Sequence, residues 1–179
     1  RLMVELEHAS RHDALTGLHN RNACMEKIDF LTKYSSSVGI VYADVNGLKE
    51  INDTLGHQAG DAALRQAARL LTKCYGLENT YRIGGDEFLV LVPLVTELDF
   101  KTSVCRLREL VAGKADLSIA IGSEWVADTA HLERVITKTD QRMYCDKVEY
   151  YNRRGKKRET RHDLNDFRRM AAKSLPIAD

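Results

Sequence analysis

Two short runs of β-prone residues, Tyr81 to Ile83 and Phe88 to Val92, stand on either side of the pair Gly84-Gly85. Adjacent glycines between such runs favour a tight hairpin, because the primed turns that join hairpin strands need positive φ. A hairpin is antiparallel by construction. The elements around it therefore cannot assemble into a purely parallel sheet, and this restricts the available folds more than any other feature of the chain.

The remaining elements follow from apolar spacing. Cys24, Ile28 and Leu31 share one face of an amphipathic helix, and Val38 to Val45 reads as a buried strand ending in the polar turn Asp44, Asn46, Gly47. A short helix around Leu48 to Leu55 stops at Gly56. Asp61 lies near the start of a longer helix bearing Leu64, Ala67, Leu71 and Cys74, closed by Gly76. Beyond the hairpin, Thr96 with Asp99 can start a helix whose face is Phe100, Val104, Leu107 and Val111. Leu117, Ile119 and Ile121 alternate like a strand, and a last long helix carries Leu132, Ile136 and Met143. Helix, strand, helix, helix, hairpin, helix, strand, helix is an α+β order, and a hairpin inside alternating elements argues for a mixed or antiparallel sheet with helices packed on it. No internal repeat appears.

Composition narrows the class. At 179 residues the chain suits one domain with short extensions, and a net charge of +1 gives no global pull toward nucleic acid or anionic membrane. No stretch approaches the roughly 18 apolar residues of a membrane span, and no secretory signal is visible. The first residue is Arg1, which suggests a fragment of a longer protein. Leu2, Leu6 and Ala9 are spaced as a helix entering from upstream, so residues 1–12 are read as the end of that helix, 13–158 as the domain and 159–179 as a polar tail. Cys24, Cys74, Cys105 and Cys145 form no close pair and are expected to be reduced, core-filling thiols of a cytoplasmic domain. The basic run Arg153-Arg154-x-Lys156-Lys157-Arg158 lacks interleaved aromatics and reads as a solvated domain end, not a nucleic-acid platform.

The chemistry concentrates in Arg82-Ile83-Gly84-Gly85-Asp86-Glu87-Phe88. Alone, two acids beside a hairpin turn are an exposed acidic turn. Asp44 changes that, since it closes an apolar strand where packing would not choose a carboxylate. Should that strand pair beside the hairpin, Asp44, Asp86 and Glu87 converge, and three hard oxygen ligands suit magnesium. The segment Asp44 to Asp61 adds the parts of a nucleotide site. Gly47 and Leu48, at a strand-to-helix turn, can point backbone N–H groups at phosphates, with Lys49 as a nearby cation or a solvated helix lysine. Asn52 and Asp61 can match the acceptor and donor edge of guanine, or cap helices.

Gly84-Gly85-Asp86-Glu87-Phe88 spells the signature of the GGDEF diguanylate cyclase family. Asp13 to Arg21 (DALTGLHNR), Asp44 to Asp61 and Leu117 to Gly122 (LSIAIG) look like its other blocks in the same order. The resemblance implies a fold like the nucleotide cyclase and polymerase palm, with a central, mostly antiparallel sheet flanked by helices, and a cytoplasmic domain whether or not its parent protein is membrane-anchored. It implies magnesium, or manganese, on Asp44, Asp86 and the backbone carbonyl of Val45, with Glu87 either completing the metal site or helping to deprotonate the attacking hydroxyl. It places guanine on Asn52 and Asp61, and the triphosphate on Gly47, Leu48, Lys49 and Lys147. His57 would approach the phosphates or make a helix-entry hydrogen bond. The implied reaction joins two GTP into cyclic di-GMP across a homodimer, controlled by an upstream sensor domain, without nucleic acid or direct membrane contact.

The chain departs from that pattern in four places. Asn46 and Leu48 stand where relatives often carry Asp and Phe. Tyr75 and Glu78 stand where product-inhibited relatives carry Arg-x-x-Asp, so no primary inhibitory site is expected, Tyr being unable to make the bidentate guanidinium contact. Tyr151 replaces a phosphate-binding Arg, with Arg153 or Arg154 as substitutes. The alternatives are a non-catalytic GTP-binding module, a cyclic di-GMP effector, and an ATP-using cyclase or polymerase.

Overall fold

The computed structural model describes residues 11–155; the expected upstream helix, the polar tail and the end of the basic run lie outside them. Within this span the elements are α1 (Arg21–Tyr34), β1 (Val38–Val45), α2 (Leu48–Leu55), α3 (His57–Tyr75), a 3-10 turn (Leu77–Asn79), β2 (Thr80–Arg82), β3 (Glu87–Pro93), α4 (Glu97–Ala112), β4 (Ile119–Val126) and α5 (Leu132–Arg153). The strands form one sheet in the order β2-β3-β1-β4, with every neighbouring pair antiparallel. This is the α+β architecture that the hairpin requires. Among the described residues no helix is long and apolar enough to cross a membrane.

Strand alternation divides the core in two. Val41, Ala43 and Val45 of β1, with Phe88 and Val90 of β3 and Ile119 and Ile121 of β4, face α3 and α4. Val38, Ile40 and Tyr42, with Leu89 and Leu91, face α1 and α5, where Ile28, Leu31, Leu132, Ile136 and Met143 cover them. Helices on both faces leave all eight residues of β1 buried. Thr96 caps α4 as its sequence suggests, its hydroxyl accepting from the Asp99 N–H at 3.1 Å.

Two expectations need correction. The hairpin forms, but Gly84 and Gly85 are not among the positive-φ glycines, so no primed turn explains them. A longer connection, Ile83 to Asp86, closes instead through the Ile83 and Gly84 N–H groups donating to the Glu87 carbonyl at 3.0 and 3.3 Å. Gly84 is needed for space: a Cβ there would lie 2.8 Å from a carboxylate oxygen of Glu87. Among the cysteines, Cys24 is buried and Cys74 half-buried, but Cys105 and Cys145 are exposed, because each lies on a helix flank turned from the sheet. All four are free thiols.

The tightest fit in the fold is between β4 and α5. A Cβ on Gly122 would lie 2.1 Å from the Thr139 carbonyl oxygen and 2.5 Å from the Met143 nitrogen, both backbone atoms of α5. At Gly39 the obstacle is the Phe100 ring, a side chain that can turn. Gly122→Ala is expected to destabilise the domain by about 3 kcal/mol or more, and by more than Gly39→Ala, in urea unfolding. Equal midpoints for the two variants would contradict this packing.

Candidate active site

Asp44 lies on the α5 face of β1, in register with Glu87 of β3 and Ala120 of β4. It is 3% exposed. Lys147 comes down from α5, itself 7% exposed, and its Nζ donates a hydrogen bond to Asp44 Oδ1. The same ammonium is 3.7 Å from Asp86 Oδ2, whose side chain is 38% exposed. The Val45 N–H donates to the Asp86 carbonyl at 3.0 Å, which fastens the turn to the end of β1. Two carboxylates from distant parts of the chain therefore share one cation at the sheet edge.

That cation does not balance the site. Burial, then the Asp86 charge, push the Asp44 carboxyl up to about 7, with Glu87 adding to this although Lys147 pulls the other way. Taking the carboxylate out of water is the larger cost, the neighbouring Asp86 adds to it, and the Lys147 ammonium offsets only part. A divalent cation would relieve it, and Asp44 and Asp86 supply the hard oxygen donors that magnesium or manganese prefers.

The expected three-acid convergence is present only in part. Among the described residues no three His, Cys, Asp or Glu side chains gather as a metal-holding group. Glu87 is the register partner of Asp44, but its carboxylate lies against Gly84. Between the other two acids stands Lys147. It had been expected on the triphosphate.

The nucleotide parts border this edge. Gly47 has φ 70° and precedes α2 as its N-cap without any side-chain cap. Its N–H donates to the Tyr151 hydroxyl oxygen at 3.2 Å. Leu48 packs against the core, and Lys49 is exposed on the first turn of α2. Asn52 lies across Gly60, where a Cβ would meet its Oδ1 at 1.9 Å, so its amide is held beside the half-buried Asp61 at the α2–α3 corner. Gly56, not Asp61, caps α3, and exposed His57 is its first residue, making no side-chain cap. The capping alternative for Asp61 is thereby excluded.

A sequence profile described as "Diguanylate cyclase, GGDEF domain" matches residues 10–153. The chain belongs to the GGDEF diguanylate cyclase family. Diguanylate cyclase DgcM of Escherichia coli K12 is 30% identical over 168 residues, 86% of this chain and 40% of that protein. PdeR of the same organism, named a cyclic di-GMP phosphodiesterase, is 36% identical over 98 residues, 53% of this chain and 15% of PdeR. The chain thus spans less than half the length of these curated relatives. The coiled coil and GGDEF domain of DgcB from Caulobacter crescentus, crystallised in complex with c-di-GMP, matches with a TM-score of 0.74 at 20% identity, over 87% of each chain. At that identity the likeness shows the palm-like cyclase fold.

Against this GGDEF frame, the positions that depart from relatives have clear surroundings. Tyr75 is buried in the core at the end of α3, while Glu78 is exposed on the following turn. Arg153 pairs with Glu149 at 3.1 Å. Arg154 instead donates to the Tyr150 hydroxyl at 2.6 Å with its guanidinium over that ring, beside Gly47. A cavity of about 560 Å³ opens there, lined by Asn46, Gly47, Tyr150 and Arg154 among others.

One pairing was not legible in the sequence. Arg82 Nη1 donates to both oxygens of Asp13, at 2.9 and 3.1 Å, and its Nη2 donates to the Gly85 carbonyl at 2.6 Å. Asp13 Oδ1 also accepts from the Thr16 N–H and hydroxyl, at 2.9 and 2.6 Å. The DALTGLHNR segment therefore braces the signature turn through one guanidinium. Arg82→Ala is expected to lower stability by about 2–3 kcal/mol and Asp13→Asn by about 1–2 kcal/mol. Burial alone would raise the Asp13 carboxyl, but the hydrogen bonds from Thr16 and Arg82 outweigh it and hold it below 3.8. A lowered folded value means stability present above 3.8 and lost as pH falls through it. The gap between wild type and Asp13→Asn should therefore be constant near neutrality and close below 3.8 in urea titrations. A gap that widens in acid would refute the pairing.

Proposed function

We propose that this domain is a diguanylate cyclase that condenses two GTP into cyclic di-GMP with release of two pyrophosphates, in the cytoplasm and as a homodimer. The observation that carries this reading is the Asp44–Asp86 pair sharing a cation at the sheet edge, with Gly47 following β1 two residues after its last strand position. Asn52 and Asp61 hold the guanine edge; adenine would leave the Asp61 carboxylate without its donors. The N-terminus of α2 from Gly47 and Leu48, with Lys49, receives the triphosphate. Asp44, Asp86 and the Val45 carbonyl hold magnesium or manganese, which when bound lowers the charge on the reacting phosphate and the attacking oxygen.

In the bond-forming step the 3′-oxygen of one GTP attacks the α-phosphorus of the other, and the bond to pyrophosphate breaks. In this reading Glu87, the first residue of β3, takes the hydroxyl proton or completes the metal site. The step occurs twice, once from each nucleotide. A monomer holds one reactant of the pair, so two domains must face each other, and an upstream sensor domain would act by bringing them together. Burial of Tyr75 supports the absence of an Arg-x-x-Asp type inhibitory site.

A second reading is a GTP-binding regulatory module without catalysis. It is favoured by Lys147 standing between the two aspartates, and by the similarity to PdeR, whose name is that of a phosphodiesterase. Domains dimerised by a fused coiled coil and given GTP with magnesium distinguish the two. The cyclase reading expects cyclic di-GMP and pyrophosphate, with Glu87→Gln slower by about 10²- to 10⁴-fold. GTP binding without pyrophosphate would establish the module. Asp61→Ala should weaken GTP binding by about tenfold or more while leaving ATP unchanged.

A further inference from the structure

We propose that Lys147 is an internal counter-ion that holds the seat between Asp44 and Asp86 in the nucleotide-free domain and leaves it when a divalent metal enters. The inference rests on the metal-binding reading given above and adds a role for Lys147 to it. A lysine is rarely buried without a partner, and this one is matched to Asp44 by a direct hydrogen bond. Its second partner, Asp86, is a longer contact on a partly exposed side chain, so one side of the seat is open to solvent. An ammonium and a divalent cation cannot both lie between the same two carboxylates, because their repulsion in a partly buried site is too strong. Entry of one therefore requires departure of the other.

The structure also supplies a destination. Lys147 and Tyr151 lie four residues apart on α5 and share a face. Tyr151 meets the Gly47 N–H at 3.2 Å, so this face of α5 runs from the aspartates to the N-terminus of α2. A long, flexible lysine side chain released from Asp44 can turn along it toward a triphosphate bound at Gly47. Metal entry then frees the cation that the nucleotide uses, and each ligand favours the other. In this role Lys147 is a positioning residue for the metal site. It keeps the two aspartates together while no metal is bound.

The test is Mn²⁺ binding, followed by electron paramagnetic resonance at fixed pH without nucleotide, in wild type and Lys147→Met. The inference expects the Met variant to bind Mn²⁺ about tenfold tighter or more, since the competing cation is gone. Adding a non-hydrolysable GTP analogue should cancel that advantage, because wild-type Lys147 is then on the phosphates. In wild type labelled with ¹⁵N-lysine, Mg²⁺ with the analogue should shift the one protected side-chain ammonium signal. Equal or weaker Mn²⁺ binding by the Met variant overturns the inference while the metal reading stands. No Mn²⁺ binding by either protein removes the metal reading and the inference together. If Lys147→Met does not fold, the ammonium signal decides: unmoved by metal and analogue, it refutes the exchange.

Discussion

A carboxylate near the end of a strand whose two faces are both covered by helices is costly unless a positive charge reaches it. At Asp44 that charge is Lys147, and its reach sets where α5 must lie on the sheet. Gly122 makes the approach feasible by letting the α5 backbone settle directly on β4. Asp146, one residue before Lys147, accepts from the Ile121 N–H of β4 at 2.7 Å, and Arg108 of α4 donates to the Ile121 carbonyl at 2.7 Å. These contacts satisfy an edge strand that would otherwise offer its groups to another chain. They also fix the height of α5, so that the next residue arrives over β1.

The opposite border of the site is set by the signature turn. Asp86 belongs to the turn and Glu87 opens β3, so two adjacent acids are handled by different parts of the backbone. The Asp86 carbonyl is tied to Val45, and the Gly85 carbonyl to Arg82, whose guanidinium is in turn held by Asp13. The turn is thus braced from the central strand on one side and from the segment before α1 on the other. Neither of its glycines has a positive φ, and only Gly84 is crowded. Gly84 leaves room for Glu87, and Gly85 stands clear of any neighbour.

Fold and site differ in how far the sequence discloses them. The β-branched run Val38 to Val45, the spacing of Cys24, Ile28 and Leu31, and the cap at Thr96 each express a local rule, and each element formed where that rule put it. The hairpin excluded a purely parallel sheet, while the antiparallel pairing of β1 with β3 and β4 is long-range. What stayed hidden depends on long-range geometry. Arg82 and Asp13 are 69 residues apart, Lys147 and Asp44 are 103 apart, and no periodicity links such pairs. Glycine identity also has two physical causes, backbone handedness and lack of a Cβ, which the sequence does not separate; Gly84 belongs to the second. The cysteines show the same limit, because a thiol near apolar neighbours in sequence can still lie on the outer flank of its helix, as Cys105 and Cys145 do.

The charge at the sheet edge connects these observations. Strand pairing puts Glu87 opposite Asp44 in register, and the turn brings Asp86 to the same end, where Asp44 and Asp86 share the one ammonium of Lys147. Were the site only structural, selection for stability would favour an equal number of charges or an apolar substitute of the same volume. Instead burial first, and then the Asp86 charge, keep Asp44 at about 7 despite its hydrogen bond to Lys147. Such an imbalance is a standing cost to the empty domain, and it is offset only when further positive charge arrives. A cation entering such a site would lower that cost and stabilise the domain by binding, which is the condition that the proposed metal site requires.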